Sequence, residues 1–208
     1  MKTYFFFIKF TQELFLIVSI LMLATLPSAL ALNPQWFSSS SYTWFYAIAH
    51  FALFLVMLIR PLADVLREVP WLRPLVILRK GVGVFSATIV VSFIITKVIT
   101  DAGGYFSSFV TVDYWSLNHL LLFAHLADLS AILLLITSNN LSKRLLGKNW
   151  KRLQRLSYVY FYSSALYVVV ILQETIVMWY AVIVTFFTTL AWLRNHGYLF
   201  ILPTNKTT

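Results

Sequence analysis

Two imidazoles and one carboxylate fall where lipid-soluble sequence surrounds them: His50, His125 and Asp128 interrupt long apolar runs. Imidazoles at similar depth on two helices are what a bis-imidazole haem, or a smaller metal ion, requires. Asp128 follows His125 by three residues, so a helix puts both on one face. A carboxylate there can orient a ligating imidazole, relay protons with it, or satisfy a polar contact between helices. Lys97, Asn118, Ser130 and Glu174 are the polar residues within reach of such a cluster. His119 stands about 240° round the helix from His125 and belongs to another face. His196 lies beside Arg194 and Asn195 in a solvated tail. A stripe of Tyr158, Tyr160, Tyr162 and Tyr167 has the side chains for radical or quinone chemistry, but aromatic packing and interfacial anchoring account for it more simply.

The elements that must carry these groups follow from composition. The chain has 208 residues, of which 60% are hydrophobic and 11% charged, with a mean hydropathy of +0.81. Such values exclude a soluble globular protein. A bilayer core needs about 20 apolar residues per helical span, and six stretches qualify, at about 10–32, 42–62, 79–100, 114–138, 156–173 and 175–194. Open strands in lipid would leave backbone groups unpaired, so the spans are read as helices. The expected fold is all-α, a six-transmembrane-helix bundle in a single transmembrane domain, 1–208, with both termini cytoplasmic. In that frame His50 and His125 each lie about 12–15 Å deep.

The net charge of +9 is distributed as topology demands. Of the 16 Lys and Arg, all but Lys97 fall in segments assigned to the inside, which is the positive-inside pattern and argues against nucleic acid as a partner. With no cysteine, disulfides, iron–sulfur clusters and thiolate chemistry drop out. The first span, with Ser28-Ala29-Leu30-Ala31 at its end, imitates a signal peptide; its length and the charges at Lys9 and Glu13 favour retention as a helix. Pro61 is expected to close the second helix. Gly81-Val82-Gly83 reads as close helix packing rather than a phosphate loop, and a tight turn is expected near Gln173-Glu174.

One segment carries more than hydrophobicity. From Thr137 and Ser138 the chain runs through Arg144, Leu146, Gly147, Lys148, Trp150 and Leu153 to Tyr158. This spacing resembles the cytoplasmic turn of the ferric-reductase-like transmembrane family, closest to the YedZ/MsrQ type, a haem-bearing membrane subunit. Pro61-Leu62-Ala63 and Arg79-Lys80 with Gly83 extend the likeness, which covers about 42–170. The resemblance implies haem ligation at three positions, and here they are Phe93, Gln154 and Tyr167. Phenylalanine cannot ligate iron, glutamine is a poor donor, and tyrosine favours ferric haem.

The resemblance therefore implies a scaffold without its usual cofactor: a non-catalytic structural or accessory subunit, embedded in the lipid bilayer beside other membrane protein subunits. The alternative is an electron-transfer subunit holding haem b through His50 and His125 and passing electrons from quinol, a quinone partner, to an acceptor outside. No flavin or nicotinamide domain is expected after the last span. The resemblance places the chain in a bacterial plasma membrane or an organellar inner membrane.

Overall fold

A computed structural model describes residues 2–115 and 120–198. Asn118, His119 and Lys206, and the front of the fourth expected span, lie outside the described residues. Among the described residues every regular element is helical: α1 (Lys2–Leu32), α2 (Ser39–Val65), α3 (Leu72–Leu75), α4 (Leu78–Thr100), α5 (Ala102–Ser108), α6 (Leu121–Thr137), α7 (Asn140–Leu146), α8 (Lys148–Leu153), α9 (Leu156–Ile171) and α10 (Thr175–Asn195). Among the described residues four stretches are long and apolar enough to cross a membrane: Thr3–Leu32, Ser39–Val65, Leu72–Thr100 and Thr175–Asn195. Leu121–Thr137 with Asn140–Leu146, bent by 95°, makes a fifth if the pair counts as one span. The chain is thus a multi-pass membrane protein. The stretch expected at 156–173 is the 16-residue α9, about 24 Å long against a hydrocarbon core of about 30 Å.

Five helices close into a ring, each touching its neighbours in the order α2, α4, α6, α9, α10 and back to α2. Their shared core takes Leu53, Phe54 and Met57 from α2, Ala87 and Val91 from α4, Ala127, Ala131 and Leu134 from α6, Tyr160 and Phe161 from α9, and Val184 from α10. Lipid is as apolar as these side chains, so association depends on close packing and interhelical hydrogen bonds. Ser86 of α4 supplies one such link, donating to Ala49 O of α2 at 2.9 Å while its hydroxyl meets Tyr160 Oη of α9 at 3.3 Å. Tyr162 Oη and Thr185 Oγ1, 2.9 Å apart, join α9 to α10.

Outside the ring, α1 lies along α4. The two backbones approach closely at Gly81, where a Cβ would stand 2.8 Å from Gln12 O. This answers the glycine pair noted in the sequence: Gly81 serves helix packing. Gly81→Val is expected to push α1 off α4 and destabilise the protein by about 1–3 kcal/mol, read as a lowered melting temperature in detergent. An unchanged melt would mean that the α1–α4 contact contributes little.

Pro61 does not close α2, which continues to Val65. The ring is buried in the packed interior, and its missing N–H removes a single backbone bond, the one that would run to Met57 O. The turn preceding it is supported from outside, since Arg79 Nε of α4 donates to Val56 O at 2.9 Å. The tight turn between α9 and α10 is present, with Gln173 at φ 55°.

The basic segments share one end of the bundle. Tyr4 Oη donates to Trp71 O at 2.9 Å, and Arg194 reaches from α10 to Val65 O and to Glu68, the latter at 3.5 Å. Trp150 Nε1 donates to Thr137 O at 3.0 Å, and Lys143 lies over the indole. Gly147, at φ 50° and ψ −120°, joins α7 to α8 in a conformation that only glycine adopts without strain. The resemblance segment is therefore a packed, basic corner, in which Arg144 is exposed.

Candidate functional site

At the opposite end of the ring, a cavity of about 330 Å³ opens between α2, α4, α6 and α9. His50, His125, Asp128, Lys97 and Tyr167 all line it, although they come from four different helices. His50, His125, Asp128 and Lys97, singled out in the sequence, thus converge on one space. Tyr46, Tyr160 and Ser164 complete its polar lining, among apolar walls such as Leu53, Ala127 and Val168. A mostly apolar cleft with a few convergent polar groups, at the small end of the usual size range, is the ordinary form of a small-molecule site.

His50 is held in a defined tautomer. Its Nδ1 lies 2.8 Å from Tyr46 O, one helical turn back. A carbonyl can only accept, so Nδ1 carries a proton, and in the neutral ring Nε2 presents a lone pair. That Nε2 is buried and has no hydrogen-bond partner among the described residues. A backbone carbonyl fixing the far nitrogen is the usual support of a ligating imidazole. His125 is buried opposite, with the Phe109 and Trp115 rings each centred 6.0 Å from its own. Trp115 Nε1 donates to Phe109 O at 2.8 Å, so the loop after α5 presents both rings to α6. On α5 itself, burial and then the charge of Asp128 push the Tyr105 phenol above its ordinary pKa. Asp128 and Lys97 bring opposite charges to one cavity without meeting as an ion pair among the described residues.

The three positions implied by the resemblance are not brought together. Phe93 lines neither cavity described here. It is buried with Leu26, Leu30, Ala49 and Ile89, its ring stacks on Tyr46 at 4.8 Å, and Tyr42 and Phe45 stand about 6 Å away. Tyr167 lines the histidine cavity. Gln154 lines a second cavity at the basic end. Leu53 and Tyr160 line both cavities and form the wall between them.

Haem can be tested against these residues. At the positions of the resemblance it does not fit: one side chain has no donor atom and is enclosed in rings, and the other two face different spaces. In the histidine cavity the donor set is suitable, with His50 Nε2 free of other bonds, though no group of three or more potential metal ligands occurs among the described residues. Of the remaining sequence candidates, Ser130 is buried and Glu174 exposed, and neither lines the cavity. The His196 ring lies tilted against Trp192, 4.5 Å between centroids, at the basic end. Reading the sequence did not single out Tyr46 as the carbonyl partner of His50; the spacing of four residues on one helix was the available signal. Compared with known protein families, characterised proteins and solved structures, the chain finds no match in any of the three.

Proposed function

We propose that this protein is a ferric-reductase-like membrane scaffold that has given up the haem sites of that superfamily and serves as a non-catalytic structural or accessory subunit of a membrane complex. In this reading six helices cross a bacterial plasma membrane or an organellar inner membrane, with both termini and the basic corner inside. The observation that supports it is the packing of Phe93, at a position where the resemblance implies a haem ligand, among Tyr42, Tyr46 and Phe45. The end of the bundle shared by Arg60, Arg79, Lys80, Lys151 and Arg155 supports the topology, since positive residues are retained on the inside.

A second reading has its own observation. The lone pair of His50 Nε2 is buried beside a cavity that His125 also lines, which supports haem b, or a quinol donating a hydrogen bond to that nitrogen, at that place. Oxidised and dithionite-reduced absorption spectra of protein purified from haem-replete cells separate the two. The scaffold reading expects no Soret band. A reduced α-band that disappears in both His50→Ala and His125→Ala would replace it with electron transfer.

A further inference from the structure

We propose that the cavity at the basic end binds a phosphate-bearing anion. This cavity measures about 600 Å³ and is lined by Arg60, Arg79, Lys80, Lys151 and Arg155. No Asp or Glu is among its lining residues. The cations come from α2, α4, α8 and the residue before α9, so their convergence is a tertiary arrangement. Like charges gathered between helices repel unless an anion sits among them, and the repulsion grows as the surroundings become apolar. Asp64 meets Arg60 at 3.9 Å, and among the described residues Arg79, Lys80, Lys151 and Arg155 form no ion pair.

The donors suit a tetrahedral oxyanion. Arg79 is fixed by its Nε bond to Val56 O, and its two Nη groups form the remaining fork, the geometry that pairs with phosphate oxygens. Gln154 adds Nε2, which is buried without a hydrogen-bond partner among the described residues. The Trp150 indole forms part of the wall, its own N–H already committed to Thr137 O. Leu53, Val56, Val84 and Leu134 continue the lining with apolar surface. Basic pockets between membrane helices of this kind take phosphorylated headgroups, and a free phosphate compound would use the same donors. This inference does not depend on whether haem is bound at the other end.

The test uses the full chain, delipidated in an uncharged detergent. Phosphatidylglycerol, phosphatidylcholine and inorganic phosphate are titrated separately, with bound lipid read by native mass spectrometry and phosphate by calorimetry. Lys151→Gln/Arg155→Gln removes two exposed cations of the cavity, and Lys148→Gln/Arg152→Gln removes two that do not line it. Phosphatidylglycerol is expected to bind saturably and to weaken by about 30-fold in the first variant, with much less change in the second. Arg79→Gln is expected to match the first; should it fail to fold, the double variant still decides. Inorganic phosphate binding that weakens in the same variants would identify a soluble phosphate compound as the ligand and sustain the site. Equal weakening in both double variants would reduce the cations to a diffuse surface field and overturn it. So would the absence of binding by either anionic probe.

Discussion

Tyr160→Ala is expected to destabilise the protein by about 3–5 kcal/mol, the usual cost of deleting a fully buried aromatic ring. Tyr160 is 3% exposed, lies in the core shared by five helices, and forms with Leu53 the wall between the two cavities. Tyr160→Phe keeps the ring and loses only the contact with Ser86, which retains Ala49 O. That change is expected to cost about 1 kcal/mol. Thermal unfolding of the two variants in one detergent separates packing from hydrogen bonding. If both lower the melting temperature equally, the hydroxyl link matters more than the ring. The alanine variant should also join the cavities. Because the chain has no cysteine, Ser164→Cys places a single thiol in the histidine cavity. A membrane-impermeant thiol reagent applied from the basic side should reach it only when Tyr160 is alanine.

The helical class and the position of most helices were legible because uninterrupted apolar length has one solution in lipid. Four of the expected spans were matched by long apolar helices, among them 42–62 and 175–194. The end of α6 was legible, since the expected span stops at 138 and a basic turn follows, whereas the 95° angle to α7 was not. Pro61 misled because proline ends helices by local rules, whereas here it sits within α2 and Arg79 of another helix supports the turn before it. Depth along each helix set His50 and His125 at a similar level, because rise per residue is nearly constant, and both line one cavity. Facing is another matter: the sequence cannot give the rotation of one helix against another. Phe93 and Tyr167, two of the three positions implied by the resemblance, accordingly face different surroundings. The cations of the basic cavity were read as a topology signal with a general attraction to anionic lipid headgroups, since only the folded ring shows them lining one space between α2, α4 and α8.

Restoring the histidines of the resemblance tests the proposed ancestry most strongly. Phe93→His with Tyr167→His should bind little haem, because the Tyr46 ring, stacked 4.8 Å from that of Phe93, stands between position 93 and the cavity that Tyr167 lines. Adding Tyr46→Ala removes that ring. The bond that orients His50 survives, since it uses the backbone carbonyl of residue 46. Each of the three substitutions also replaces a side chain by a smaller one, so the available space grows. The triple variant is expected to acquire haem in stoichiometric amount, with a reduced α-band from imidazole ligation. Gln154→His should add nothing further, since that position faces the basic cavity, whose lining contains no histidine to oppose it. Haem uptake by the double variant would show that Tyr46 is no barrier. A triple variant that folds and stays colourless would remove the ferric-reductase-like reading, leaving a membrane bundle whose histidine cavity arose for another ligand.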